Sequence, residues 1–339
     1  MSLGDVWFGI FVAIIAGYLI LDGFDFGVGI VHLIAGRSDE DRRLLLNSIG
    51  PVWDGNEVWI VLGGGVLFAA FPLVYASLFS GFYVAFALVL LVMILRTVAI
   101  EFRSKRQQAS WRYTWDAFFS LASAAIAFLL GVAFGNILEG VKLDSQGDIN
   151  DSLVDLLNPY ALLIGLTALA MFAMHGLAFL TLKAEGDLEV RVRGLIRKAI
   201  VAFFVLTNIA VIATALFEDT ISDSFTSDVW PLVFPAGALV AFVICWRAVA
   251  TGRDYRAFAA SAAMIALLLM SGAAGMYPNL LISSDSTEFN LTVTNAASAD
   301  NTLRVMLVVA VIGMPLILLY TAGIYYFFRG KTRLAPDSY

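Results

Sequence analysis

Apolar residues in this chain gather into long, nearly unbroken runs. Runs of that kind fall at 6–35, 54–73, 75–100, 116–138, 159–182, 198–217, 229–250, 256–276 and 303–328. The hydrocarbon core of a bilayer takes about 20 helical residues to cross. Lipid offers no partner to an open backbone N–H or C=O, so each run is expected to be a helix. The runs therefore predict an all-α polytopic membrane protein of about nine transmembrane helices, forming one transmembrane helical domain over 1–339. No connection between runs exceeds about 25 residues, which is too short for a soluble domain. The first run is far longer than a signal-peptide core and has no basic residue before it, so it is expected to be retained. Pro159 and Pro231 stand where spans five and seven open, positions at which a missing N–H is harmless. The connection 277–301 is rich in Ser, Thr, Asn and Asp and is expected to be exposed and irregular.

The charged residues between the runs set the orientation. Arg37, Arg42 and Arg43 follow span one. Arg103, Lys105, Arg106 and Arg112 follow span three. Lys183, Arg191, Arg193, Arg197 and Lys198 follow span five. Arg247, Arg253 and Arg256 lie between spans seven and eight, and Arg329, Lys331 and Arg333 close the chain. With nine spans these groups all fall on one side. The other side holds Lys142 and Arg304 beside many acids. The positive-inside rule then places the N-terminus outside and the C-terminus in the cytoplasm. The seven tryptophans fall near span ends, where an amphipathic ring is favoured.

Composition agrees with a membrane protein and narrows the chemistry. Sixty per cent of residues are hydrophobic and 14% charged, against roughly 25% charged in soluble domains. The net charge of −6 is therefore not a surface for cationic partners. The single cysteine, Cys245, allows neither an intrachain disulfide nor a thiolate metal site. His32 and His175 lie in different spans. Either is able to supply one axial haem ligand, which excludes a multi-centre redox protein on this chain alone. Both are read as packing or hydrogen-bonding residues, and no metal site is expected. The glycine groups at Gly23, Gly27 and Gly29 and at Gly63-Gly64-Gly65 lie inside apolar runs and lack the lysine of a phosphate loop. Small residues four apart, as at Gly23/Gly27 and Gly131/Gly135, suit close helix packing.

The informative residues are carboxyls within spans. Asp22 and Asp25 stand three apart in span one and share a face. Asp25 is about 15 Å from the end of that run at Ala35. Asp54 and Glu57 open span two with the same spacing, and a short basic connection joins the pairs. A carboxylate inside a bilayer is costly and faces a partner or water. Such carboxyls are suited to passing protons, and the functional reading is a proton path from the cytoplasm. The structural reading makes Asp54 an N-cap and Asp22 and Asp25 ties to neighbouring helices. Arg96, inside span three, either snorkels to the interface or pairs with one of these acids.

The same segments resemble the second subunit of cytochrome bd-type quinol oxidases. The likeness rests on Asp22-Gly-Phe-Asp-Phe-Gly-Val-Gly29, Arg42-Arg43, Asn47-Ser-Ile-Gly-Pro-Val-Trp-Asp-Gly-Asn-Glu-Val-Trp59, Phe68-Ala-Ala-Phe-Pro72, Ser80-Gly-Phe-Tyr83, Arg96, Trp111-Arg112 and Gly131-Val-Ala-Phe-Gly-Asn136. It is dense over residues 15–140, and beyond them it lies in span count and connection pattern. The resemblance implies a haem-free subunit of a terminal oxidase in the bacterial inner membrane, paired with a larger subunit that holds haem b and haem d. It implies quinol and oxygen as substrates of the complex, with protons for water drawn from the cytoplasm. Acids matching Asp22 and Asp54 are thought to line that route, whereas the Glu57 position is Gln in some relatives. Some members hold a structural quinone. The resemblance leaves room for a small accessory subunit and gives nucleic acid no role. From the residues alone, a proton-coupled secondary transporter is the alternative, but it calls for repeats and broken helices around a midplane site. No repeat is seen, and the acids sit off-centre. A purely structural membrane partner is the third reading.

Overall fold

The structure, a computed structural model, describes residues 2–334. Met1 and residues 335–339, at the ends of the 1–339 unit, lie outside the described residues. Helix follows helix along the chain: α1 (Leu3–Ala35), α2 (Asp39–Ile49), α3 (Trp53–Ala70), α4 (Pro72–Gly81), α5 (Tyr83–Phe102) and α6 (Ala109–Glu139). After these come α7 (Pro159–Lys183), α8 (Gly186–Phe217), α9 (Asp219–Ser227), α10 (Val233–Ala250), α11 (Asp254–Met276) and α12 (Asp300–Phe327). Eight helices among the described residues are long and apolar enough to cross a membrane: α1, α5, α6, α7, α8, α10, α11 and α12. The ninth expected span is α3, 18 residues long, whose apolarity is lowered by Asp54, Asn56 and Glu57.

The five basic groups meet at one end of the bundle. Arg103 and Arg112 both bind Asp39 of α2, at 2.8 and 2.7 Å. Arg191 binds Asp41, Arg193 binds Asp254 at 2.7 Å, and Lys331 reaches Glu189 at 3.3 Å. At the opposite, acidic end Lys142 lies 3.3 Å from Asp155, and Tyr277 donates to Asp5. The α3 helix begins at the basic end and finishes at the acidic one, where Ser298 N–H donates to the Ala70 carbonyl. It therefore traverses the bundle, and the nine-run reading holds.

Span three starts later than expected. The chain breaks at Phe71 and again at Phe82, leaving α4 as a ten-residue helix at the acidic end. Pro72 has no N–H to continue α3 and disfavours helical geometry in the residue before it. At the basic end, the connection 36–53 is largely helical. Ser38 caps α2, with Asp41 returning the bond. The connection 277–301 is folded rather than irregular. Strands β1 (Asn279–Leu281) and β2 (Leu291–Thr292) pair antiparallel, and Leu280, Leu281, Ile282, Leu291 and Val293 are buried against the bundle.

Helix α1 runs through the interior, against α3, α6, α7 and α11. Glycine makes this possible. A Cβ on Gly27 would stand 2.0 Å from the Phe172 carbonyl oxygen, and one on Gly176 2.3 Å from the Gly27 backbone. The α1 and α7 backbones are thus in direct contact. Gly131 and Gly135 of α6 meet Gly165 and Ala161 of α7 in the same way. Of Gly63, Gly64 and Gly65, only Gly63 packs inside the chain, on Ile15; the other two face open space. Trp7, Trp53 and Trp59 are core residues rather than interfacial ones, and Trp59 lies over Gly17.

Replacing Gly27 with Val is expected to abolish the monodisperse peak of the detergent-solubilised protein in size-exclusion chromatography, with Gly64→Ala leaving it intact. Glu218, between α8 and α9, is only 8% exposed. Burial, with Glu139 and Asp219 nearby, pushes it up to about 7. The folded chain then binds this proton more tightly than the unfolded one, so stability declines as pH rises between about 4.5 and 7. Glu218→Gln is expected to raise the unfolding temperature near pH 8 and leave it unchanged near pH 5. Equal shifts at both would tie the effect to packing instead.

Candidate functional site

Four helices deliver polar side chains to one place in the apolar interior. Asp22 and Asp25, fully buried, come from the middle of α1. The first turns of α3 bring Asn56 and Glu57, α5 brings Arg96 and α12 brings Tyr325. Arg96 is the hub. It is fully buried, with Nη2 3.2 Å from Asp22 Oδ1 and Nη1 2.6 Å from Glu57 Oε1. Its guanidinium also covers the Phe26 ring at 4.7 Å, a contact that favours a desolvated cation.

Asp25 is reached from the other side. Asn56 Nδ2 donates to Asp25 Oδ2 at 2.7 Å and to the Leu21 carbonyl at 3.1 Å. Its Oδ1 accepts from the Tyr325 hydroxyl at 2.9 Å. Asn56 is thereby fixed at both ends, and α12 is tied to α1 through it. Not all capacity is used. Both Asp22 oxygens, Asp25 Oδ1, and Arg96 Nε and Nη2 are buried without a hydrogen bond of good geometry. In a native interior most buried polar atoms are satisfied, so this cluster keeps unused hydrogen-bonding capacity.

Of the sequence-predicted residues, Asp22, Asp25, Glu57 and Arg96 come together, and Asp54 does not join them. Asp54 lies in the first turn of α3, exposed, one turn from Glu57. It is not the N-cap, since Val52 holds that position without a side-chain cap. Of the two readings of Arg96, the paired one is observed: the side chain turns inward.

The sequence reading passed over Asn56, Tyr325 and Asp116. Asn56 lay between Asp54 and Glu57, an amide inside an apolar helix, and was detectable. Tyr325 comes from the far end of the chain, and no local pattern announces it. Asp116 anchors a second buried cluster near the basic end. Its Oδ1 accepts from His32 Nε2 at 2.7 Å and from Arg103 Nε, and its Oδ2 lies 3.3 Å from Arg42. His32 is accordingly a hydrogen-bonding residue. So is His175, with Nδ1 2.7 Å from Ser261 Oγ, Nε2 3.0 Å from the Ile20 carbonyl, and its ring stacked on Phe258. Among the described residues no set of three or more His, Cys, Asp or Glu is arranged to hold a metal.

Comparison with known proteins places this architecture. A family model described as cytochrome bd terminal oxidase subunit II matches residues 3–328. The cytochrome bd ubiquinol oxidase subunit 2 of Bacillus subtilis is 36% identical, over 97% of each chain. The cytochrome bd-I ubiquinol oxidase subunit 2 of Escherichia coli K12 is 34% identical, over 96% of this chain and 94% of that one. A chain in the structure of the bd oxidase from Geobacillus thermodenitrificans shares the fold, with a TM-score of 0.79 at 18% identity, over 97% of this chain and 99% of its own. The chain belongs to the cytochrome bd terminal oxidase subunit II family, and is thereby a multi-pass subunit of an oxidoreductase complex in the bacterial inner membrane.

Proposed function

We propose that this chain stabilises a haem-bearing partner subunit and carries protons towards it from the cytoplasm, for reduction of oxygen to water by quinol. The observation that carries the reading is the buried cluster around Arg96. Three carboxyls, Asp22, Asp25 and Glu57, surround one guanidinium. An arginine stays charged, so it balances one carboxylate. Uncompensated buried carboxylates cost several kcal/mol, so the remaining carboxyls are where protons are held and exchanged. The curated relatives, named as ubiquinol oxidase subunits, support a quinol-oxidising complex. The positive-inside rule supports the basic end as the cytoplasmic one and the N-terminus as external.

The outer face of α3 is the docking surface on this reading. Asp54, Val58, Val61, Gly65 and Phe68 form an exposed strip along it, at spacings that keep them on one side of a helix. A carboxylate in contact with lipid tails is strongly disfavoured, whereas one against a haem-bearing subunit hands protons across the interface. Helix α1 is interior and serves the route rather than the interface. The transporter reading calls for broken helices at the charged site. The breaks here, at Phe71 and Phe82, lie at the acidic end, away from the cluster.

In the purified complex, Asp22→Asn and Asp54→Asn are each expected to cut oxygen consumption at least about tenfold with haem content retained, in line with the loss of one proton-transfer group. Normal turnover in both would remove the route. Arg96→Leu strands the buried acids and is expected to cost about 3–5 kcal/mol of stability, read as the unfolding temperature and yield of the complex. A second change, Asp22→Asn, should restore part of that loss, since it removes one of the stranded charges.

A further inference from the structure

Helix α1 presents more polar groups to the interior than the Arg96 cluster uses. At about 100° per residue, Tyr18, Asp22, Asp25, Gly29 and His32 fall within about 80° of one another around the helix. They form a seam about 21 Å long, from mid-bundle to the basic end. At Gly29 the missing side chain admits Ser123 of α6, whose Oγ would stand 2.0 Å from a Cβ there. Ser123 and His32 are both fully buried. The atoms left without a hydrogen bond along this seam are His32 Nδ1, Ser123 Oγ, Asp25 Oδ1 and both oxygens of Asp22. The other buried unpaired side-chain atoms of the described residues lie in Arg96 of α5, which pairs with Asp22, in Arg103 just beyond α5, in Trp115 and Glu139 of α6 and in Thr207 of α8. Each step along α1, from His32 to Gly29, to Asp25, to Asp22, is one helical turn, about 4.5–6 Å. A single hydrogen-bonded water bridges a gap of that size.

We infer that His32 and Ser123 continue the proton route from Asp25 to the basic end, with His32 as its first relay. The inference rests on the proton-route reading and names the side chains that would serve it. His32 is placed for the work. Its Nε2 faces Asp116, behind which stand Arg42 and Arg103, with Asp39 and Arg112 beyond. Asp39 and Arg112 are the most exposed members of this group, at 46% and 28%, and mark where solvent comes nearest. His32 rests with its proton on Nε2, donated to the Asp116 carboxylate. An incoming proton adds at the unpaired Nδ1 and gives the imidazolium, held by that carboxylate. Nδ1 then releases it towards the water between it and Ser123 Oγ, so the N–H bond that forms is the one that breaks, and no electrons move. Ser123 both accepts and donates, so it passes the proton to Asp25 without itself holding charge.

The experiment uses the assembled complex with its haems, measuring turnover in H2O and D2O for His32→Gln, Ser123→Ala and Asp22→Asn. Gln retains a donor for Asp116 but relays nothing. Ser123→Ala removes a hydroxyl that has no partner, so a structural role predicts no effect on assembly or rate. The expected result is a three- to tenfold fall in turnover for both His32→Gln and Ser123→Ala, with a larger solvent isotope effect and unchanged haem spectra. Full turnover in those two with slow turnover in Asp22→Asn overturns the extension and leaves the route through the Arg96 cluster standing. Full turnover in all three overturns both. A loss confined to His32→Gln marks the residue as part of the Asp116 lock and overturns its relay role.

Discussion

A guanidinium keeps its proton under any condition a membrane protein meets, so the bundle interior has to be arranged around the charge of Arg96. Nothing in lipid compensates it. The protein supplies two carboxyls at hydrogen-bonding or ion-pair distance and the face of Phe26. Those partners come from α1 and α3, which fixes the rotation of both helices relative to α5. Asn56 then locks the third carboxyl and draws in α12 through Tyr325. One buried cation thus registers four helices, three of which make few other contacts with one another.

That arrangement demands that α1 be central, and glycine makes it so. A transmembrane helix bearing two aspartates must be hidden from lipid on most sides. Backbone contact between Gly27 and Gly176 lets α7 close over α1 more tightly than any side chain would allow. The carboxyls are then enclosed by α3, α5, α6 and α7. Because helices in lipid gain little from hydrophobic burial against each other, small residues and polar ties carry the specificity that a greasy core supplies in water.

Length, apolarity and charge alternation were legible in the sequence because each is a property of a window. They gave nine traverses and the gathering of basic groups at one end. The i, i+3 spacing of Asp22 and Asp25, with the neighbouring Glu57 and Arg96, was enough to expect a charged cluster. What escaped depended on the third dimension. The face of α3 to which Asp54 belongs could not be told from that of Glu57, three residues away, without knowing where α1 lay. Asp116 looked like the polar end of a span, since its partners His32, Arg42 and Arg103 come from three other segments. The folded cover at 277–301 was hidden by its Ser and Asn content, although Leu280-Leu281-Ile282 carried the apolar signal of a buried strand.

The two buried clusters answer the same constraint differently. Around Asp116 the cations outnumber the acids: Arg42, Arg103 and Arg112 face Asp116 and Asp39. Around Arg96 the acids outnumber the cation. On the proposed route, a proton moving inwards from the first cluster would leave a region of excess positive charge for one of excess negative charge, and the field along α1 would favour its movement over about 15 Å of helix. Reversing that order would place carboxyls at the basic end and hold protons there. The gradient needs no moving part, since it is set by which helix ends carry arginine and which helix centres carry aspartate. Rigid packing through Gly27 and Gly176 keeps the groups at fixed separations, so that bridging water rather than side-chain motion has to close the gaps.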